Sequence, residues 1–290
     1  MLKVEKSYNP KLETQNPKPE TQNKKNLLSL LQIENQVNML RRVLLFLFAT
    51  VIVFTSNSQV NVRDSVVAAF IPHVSYSFQF PGGDITERYG DNSTIGIGLK
   101  YKTSKNFIYS FDANFIFGSD IKNVDSILDM VLTEEGFIID GNGTYALYAL
   151  YERGYNINFS IGKIFPILNP TKNSGLMVTA GFGYLLHRMK IDNQHRTAPQ
   201  ISDDYAKGYD MLTGGISLNQ FIGWFYMGNS KLTNFYAGVE FHEAFTHSLR
   251  DWNFSAMKKD DNKYFDYFIG IKVGWMLPIY KRAPDKYYYN

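Results

Sequence analysis

The feature that most constrains the fold is a two-residue alternation of bulky with small or polar side chains, repeated in eight segments after residue 59. Successive side chains of a β-strand point to opposite faces, so each segment has one bulky face and one small or polar face. No helical pattern in this region exceeds about three turns. The eight predicted strands are 73–80, 94–101, 109–117, 155–162, 176–184, 215–226, 235–242 and 266–275. The chain is therefore predicted to be all-β.

The connections between these strands alternate in length along the chain. The long connections are 81–93, 119–154, 193–208 and 248–263, and the short ones are 103–106, 167–175 and 228–233. Long loops outside and short turns in the periplasm are typical of transmembrane barrels, and an even strand number lets the sheet close. The expected fold is a closed antiparallel up-and-down transmembrane β-barrel of about eight strands.

The alternation alone does not say which face is outside, because a soluble barrel of the lipocalin type alternates too. Two observations favour lipid around the bulky face. The small face carries residues suited to paired charges in a narrow interior, namely Lys100, Asp112, Asn114, Glu240 and Lys272. Aromatic residues lie near strand ends, where interfacial girdles belong, at Tyr76, Phe80, Tyr101, Tyr109 and Trp275. An eight-stranded barrel has room only for side chains inside, so an open pore is disfavoured.

Composition excludes several function classes. The net charge of +3 indicates no nucleic-acid partner, and the absence of Cys excludes disulfides and thiolate chemistry. Mean hydropathy is slightly negative, which excludes a bundle of membrane helices. The aromatic content of 16% suits a membrane-facing surface.

The first 58 residues are set apart from the barrel. Residues 1–38 are polar, contain the duplication 9–15 and 16–22, and are expected to be a disordered leader or upstream translation. Residues 39–58 begin with Met39 and two arginines and continue with an apolar run too short to span a membrane. They end on Ser56 and Ser58, which suit cleavage before Gln59. The prediction is a signal peptide at 39–58, followed by the barrel and a C-terminal periplasmic tail over 59–290.

The longest loop is predicted to contain a short amphipathic helix within 123–132. Val124, Ile127, Leu128 and Val131 share one helical face, and Asn123 is placed to cap the start. This face either folds onto the barrel mouth or docks another protein, so Ile127 and Leu128 are candidate partner contacts. The segment 136–143 has the residues of a tight hairpin element.

Gln220 interrupts the bulky face of the sixth strand. It would meet hydrocarbon unless a β-bulge redirects it or a partner covers it. A bulge is the simpler expectation, and a partner contact at Gln220 is the alternative. Tyr287, Tyr288 and Tyr289 in the tail are further candidates for contact with a periplasmic partner or the membrane interface.

Catalysis and cofactor binding are not expected. His73 with Ser75, and His242 with Glu243, invite comparison with barrel enzymes that deacylate lipid A. However, His73 and Ser75 should face the interior, and neighbours such as His242 and Glu243 point to opposite faces. Loop carboxylates such as Asp84 and Asp203 have no calcium-loop spacing, so neither a metal nor a cofactor is predicted.

The segments 72–84, 234–241 and 270–275 resemble the small outer-membrane barrel families, over roughly residues 66–280. The resemblance is architectural and implies a location in the cell outer membrane, among lipid and lipopolysaccharide. Such families include accessory subunits of barrel-assembly and secretion machines, and barrels that stiffen the envelope or adhere to surfaces. The expected function is a non-enzymatic subunit of a multiprotein envelope complex, with a stand-alone structural or adhesion barrel as the alternative. A lipid-A-modifying enzyme is a more distant alternative. One departure is that the last strand ends before Pro278 and a basic, Tyr-rich tail follows.

Overall fold

The computed structural model describes residues 66–167, 171–228 and 232–280. The chain divides into two units, residues 1–58 and 59–290, and every described residue belongs to the second. The leader, the signal peptide and the tail tyrosines Tyr287, Tyr288 and Tyr289 lie outside the described residues. Their assignments remain predictions.

Eight long strands make up the second unit. They are β1 (Ala69–Gly83), β2 (Asn92–Lys102), β3 (Phe107–Gly118), β4 (Tyr148–Phe165), β5 (Gly175–Asn193), β6 (Thr213–Met227), β7 (Asn234–Ser248) and β8 (Lys263–Met276). A two-residue strand, β9 (Ile279–Tyr280), follows. The loops hold two short helices, α1 (Val124–Leu128) and α2 (Asp203–Tyr209), and 3-10 turns at Asp84–Glu87, Asp129–Val131, Gln194–Arg196 and Pro199–Ile201.

Each long strand pairs with its sequence neighbours, and the sheet closes on itself. All pairs are antiparallel, and β1 pairs with both β2 and β8, for example through His73 with Gly98 and Ser77 with Lys272. Closure gives each of the eight long strands two partners. It also removes the exposed sheet edge that would otherwise promote aggregation. The predicted eight-stranded antiparallel barrel is confirmed. The short β9, which pairs with Ala69 and Phe70 of β1, was not expected.

The strands extend beyond the alternating segments from which they were predicted. The first predicted loop, 81–93, therefore begins too early. Pro81 does not break β1, since it pairs with Phe268 of β8. Pairing of β1 with β2 ends at Gln79, so at Pro81 one side of β1 is a free edge. The N–H group that proline lacks is therefore not needed for a hydrogen bond to a neighbouring strand. The strand ends at Gly83, whose φ of 77° favours glycine.

The interior is filled in three layers. An apolar mouth cluster lies at the end that carries the long loops, hereafter the loop end. It consists of Ile85, Tyr89, Ile116, Ile127, Leu128, Ile138, Leu185, Met189, Ala198, Ile201, Tyr209, Ala244 and Phe268. An apolar turn-end cluster closes the other end with Ala69, Ile71, Ile108, Ile164, Met177, Phe221, Phe225, Met227, Tyr236 and Met276. Polar and charged side chains lie between the two clusters.

The bulky face of the strands is outside. Ile97 is 66% exposed and Ile271 is 60% exposed, although both lie in the middle of long strands. The small-face residues Lys100, Asp112 and Glu240 are buried. A continuous apolar wall around a polar interior reverses the arrangement of a soluble barrel and is the surface that lipid requires. Among the described residues no helix has the length and apolar character to cross a membrane.

Candidate functional site

The outer wall of β6 and β7 carries two polar side chains within the apolar surface. Gln220 is half-buried on the outer face, between the outward-facing Leu218 and Ile222. Glu243 lies on the outer face of β7, two residues from Phe241. The Gln220 amide Nε2 donates a hydrogen bond of 3.2 Å to Glu243 Oε2. We call these two residues the exterior polar pair.

No bulge redirects Gln220, so the bulge expectation is wrong. Gln220 pairs with Phe241 on one side and Ala180 on the other, and the register stays continuous along both ladders. Regular pleating holds Gln220 on the face to which Ile216 and Ile222 point. Within the described part of the chain, its polar group is satisfied by Glu243 instead of being turned inward.

The hydrogen bond satisfies only part of what the exterior polar pair offers. Gln has two amide donors and an acceptor oxygen, and a carboxyl group has two oxygens. An amide without its hydrogen bonds costs roughly 1–3 kcal/mol when it leaves water. The pair therefore retains bonding capacity on the outer face, where both side chains are half-exposed. The alternation in β7 places Glu243 on the same outer face as Phe241, but only the register of β6 and β7 shows that it reaches Gln220.

The predicted amphipathic helix exists and faces the barrel. Leu128 is fully buried and Ile127 nearly so, and both belong to the mouth cluster. Val124 and Val131 pack against the same cluster. The α-helix is shorter than predicted because a 3-10 turn replaces its second half. Since this face is occupied by the chain itself, the structure adds no support for a partner contact at Ile127 or Leu128, which stays a prediction.

Asn123 does not cap this helix, which corrects the expectation. It adopts a left-handed conformation and makes no side-chain capping bond. Its amide Nδ2 instead donates to the Glu87 carbonyl oxygen at 2.9 Å and so ties the longest loop to the first one. The Ser255 hydroxyl likewise donates to the Ile127 carbonyl oxygen at 2.6 Å and connects the last loop.

The hairpin element within the longest loop is confirmed. Ile139 and Tyr145 form an antiparallel bridge around a turn at Asp140. Asp140 Oδ1 accepts the backbone N–H groups of Thr144 at 3.0 Å and Asn142 at 2.8 Å. Both bonds lower the pKa of the Asp140 carboxyl because they stabilise its charged form, and the bond from Thr144 has the larger effect. Tyr148 and Tyr151 extend β4.

Two bonded groups of interior charges lie around Asp112 and Glu240. His73 Nε2 lies 2.7 Å from Asp112 Oδ1, and Lys100 Nζ lies 3.6 Å from the same oxygen. In the second group Glu240 accepts a hydrogen bond of 2.8 Å from Gln79 and lies 3.1 Å from Lys272 Nζ. His242 Nε2 is 3.2 Å from Glu240 Oε2. The predicted pairing of charges inside a narrow barrel is confirmed.

Two small cavities lie among the described residues of the interior. A cavity of about 30 Å³ lies beside Lys100, Asp112 and Lys272, and another of about 10 Å³ lies beside Gln79 and Glu240. A cavity needs roughly 10–15 Å³ to hold one water molecule. These cavities therefore hold a water or two and cannot pass a solute.

The two residue pairs that invited comparison with lipid A deacylases do not lie together on the outer wall. His73 and Ser75 are both buried in the interior, and His242 faces inward while Glu243 faces outward. These positions agree with the sequence prediction. In the ranges that the structure describes, no group of three or more His, Asp or Glu side chains is arranged to hold a metal ion.

Closed antiparallel pairing, an apolar outer wall, a filled polar interior and long loops at one end define a class. This is the architecture of the small eight-stranded β-barrels of the bacterial outer membrane. The outer membrane is accordingly its location.

No protein-family model matches the chain, and no curated protein does. Solved structures with a similar arrangement include Neisserial surface protein A, at 11% identity and a TM-score of 0.38, covering 71% of this chain and 96% of that one. The outer-membrane protein OprG of Pseudomonas aeruginosa is 11% identical with a TM-score of 0.37, covering 75% of this chain and 99% of that one. The Ail protein of Yersinia pestis is 12% identical with a TM-score of 0.35, covering 73% and 99%. The class follows from the strand pairing and apolar wall of the chain itself, and not from these similarities.

Proposed function

We propose that this barrel is a non-enzymatic structural or accessory subunit of a multiprotein envelope complex of a Gram-negative bacterium. The observation that carries the proposal is the exterior polar pair. A carboxyl group and an amide within a lipid-facing wall are costly, and such groups in membrane proteins mark contact or function. A partner strand or helix that offers its own polar group there would remove this cost.

The filled interior supports the same proposal. Transport needs a passage, and two cavities of the described interior are the size of a water or two. If the complex secretes or assembles outer-membrane proteins, its other subunits would provide the passage for them. Surrounding lipid and lipopolysaccharide are the other expected contacts, and no cofactor is part of the proposal.

Export is proposed to use residues 39–58 as a signal peptide, with Gln59 as the first residue of the mature chain. The tail tyrosines Tyr287, Tyr288 and Tyr289 are proposed as a second, periplasmic contact. Both assignments rest on sequence pattern alone.

A stand-alone structural or adhesion barrel is the second candidate. It is favoured by large apolar side chains that remain exposed on the loops, including Phe137, Tyr145, Tyr205 and Trp252. Exposed aromatics at the loop end are available to a surface outside the cell. The two candidates differ in whether the contact is made through the barrel wall or through the loops.

The test is a photo-crosslinking amino acid placed at Gln220 in the native membrane. A matched control position is Ile97, which is also outward-facing but lies on β2. We expect a discrete protein adduct from position 220 and none from position 97, and we expect co-purification of the same protein to fall in the Gln220→Leu and Glu243→Leu variant. Heat-modifiable gel mobility reports that each variant is folded.

The proposal fails if the folded leucine variant retains every co-purifying protein and position 220 gives lipid adducts only. Loss of surface adhesion after loop substitutions, with the wall intact, would then identify the stand-alone barrel.

A further inference from the structure

A groove lies on the outer wall where β3, β4 and β5 approach the loop end. Its volume is about 530 Å³, within the range of roughly 300–1,000 Å³ typical of ligand sites. It is lined by Phe115, Arg153, Tyr155, Leu186, Arg188 and Lys190, among others. The lining is therefore apolar on one side and basic on the other.

The basic side comes from cations on neighbouring strands. Arg153 of β4 is the direct cross-strand partner of Arg188 of β5, and Lys190 is paired with Tyr151 one step further towards the loops. All three basic residues lie on the outward-facing positions of their strands. Like charges directly opposite each other destabilise a sheet unless something neutralises them.

The described residues supply little negative charge to these cations. Arg153 donates to the carbonyl oxygens of Gly118 at 3.4 Å and Glu152 at 2.6 Å, neither of which is charged. Arg188 Nη1 lies 3.7 Å from Asp210 Oδ2, and its side chain remains 50% exposed.

Asp210 is already bound by another cation. Arg250 forms a two-pronged contact with it, with Nε donating at 2.8 Å and Nη2 donating to the second oxygen. This hydrogen bond raises the pKa of Arg250. Asp192 faces outward two residues beyond Lys190, but no ion pair joins them among the residues described. The groove therefore keeps an excess of positive charge.

The position of the groove indicates what neutralises it. Below the cations, β4 presents Ile157 and Phe159 outward and β5 presents Phe182 and Tyr184, all of them exposed. The cations thus sit at the upper edge of the apolar wall. With the long loops outside the cell, that edge is level with the headgroups of the outer leaflet, which in the outer membrane is built of phosphorylated glycolipid. Arginine forks match the geometry of phosphate oxygens.

We propose that Arg153, Arg188 and Lys190 bind a phosphate group of an outer-leaflet glycolipid whose acyl chains lie against Phe115, Tyr155 and Leu186. The site lies on the wall of β4 and β5 and uses neither residue of the exterior polar pair. It holds one lipid in a fixed place on the barrel rather than as part of the general lipid shell.

The test is a titration of the full chain, folded in detergent micelles, with bisphosphorylated lipid A, observed by native mass spectrometry. The same titration is made with lipid A from which both phosphates have been removed. We expect one copy to bind the folded barrel, and the Arg153→Gln and Arg188→Gln double variant to lower its affinity by about tenfold or more, as the loss of charge-assisted hydrogen bonds implies. The dephosphorylated lipid should bind the wild-type chain as weakly as the phosphorylated lipid binds the double variant.

Lys163→Gln is the matched control, because Lys163 is outward-facing and exposed on the same strand but lies at the opposite end of the wall. It should leave the affinity unchanged. Arg188→Gln alone provides a milder variant, and heat-modifiable mobility confirms folding. The proposal is overturned if the phosphates make no difference, if the variants bind as the wild type does, or if Lys163→Gln weakens binding equally. Binding of soluble heparin at these arginines without binding of lipid A would also overturn it.

Discussion

Several charged side chains inside the barrel are bonded to side chains of opposite charge. Glu240 is the clearest case, since it contacts Lys272 at 3.1 Å, His242 at 3.2 Å and Gln79 at 2.8 Å. A buried charge that loses its partner is far more costly than a pair removed together. The stability of the interior therefore depends on keeping both members of each charged pair more than on any single residue.

Glu240→Gln should lower the free energy of unfolding by about 3–5 kcal/mol, because it removes the carboxylate that pairs with the buried Lys272 ammonium group. Urea titration of the barrel folded in lipid vesicles measures this change. The Glu240→Gln and Lys272→Met double variant should recover most of the loss, and Lys163→Gln on the outer wall should change little. Equal stability of the single variant and the wild type would contradict the paired interior.

The sequence predicts which residues are inside more readily than how they are bonded. Alternation places Lys100, Asp112 and Glu240 on one face of the strands, and their charges favour the interior for that face. The bond from Gln79 to Glu240 joins residues 161 positions apart, and only the three-dimensional arrangement of the closed barrel brings them together. The turn-end cluster was missed because Phe221 and Phe225 are bulky residues on the face that elsewhere is small.

Burial of apolar side chains stabilises the loops and short helices at the loop end. The α1 helix has only five residues and no side-chain cap, too little to be stable by its own hydrogen bonds. Its stability comes from Ile127 and Leu128 in the mouth cluster and from the hydrogen bond that Ser255 donates. The loops therefore stabilise one another across the mouth.

Leu128→Ala should loosen the longest loop without unfolding the barrel. Truncating a fully buried leucine costs about 2–5 kcal/mol, here against local opening of residues 119–147. Hydrogen exchange of the loop amides measures the change. Met130→Ala is the control, since Met130 lies in the same loop but is 55% exposed, and it should leave the exchange as in the wild type. Equal protection in both variants would show that the mouth cluster does not hold the loop.

Element boundaries were harder to predict than element types. All eight strands were recognised from alternation, yet β4 and β5 extend well beyond their alternating cores. The first loop was predicted to begin at residue 81, but β1 continues to Gly83 because a strand edge tolerates proline there. The bulge expected at Gln220 is absent because Glu243 of the neighbouring strand accepts its hydrogen bond, a pairing visible only once the register is known.

At the scale of the whole barrel, apolar clusters close both ends and paired charges fill the middle. The described interior is packed in this way, and the contacts proposed for this barrel therefore lie on its outer surfaces. The exterior polar pair on β6 and β7 and the basic groove on β4 and β5 are two such surfaces, with different expected occupants.

The lipid-facing position of the bulky face is tested most directly by spin-label accessibility along β4. The chain contains no Cys, so single cysteines can be introduced one at a time and labelled in vesicles. Labels at Ile157, Phe159 and Ile161 should be accessible to oxygen dissolved in lipid, and labels at Asn158 and Ser160 should be shielded, giving a period of two. A chain that remains soluble without lipid, with the labels at Ile157 and Phe159 shielded, would contradict the membrane barrel and indicate a soluble one.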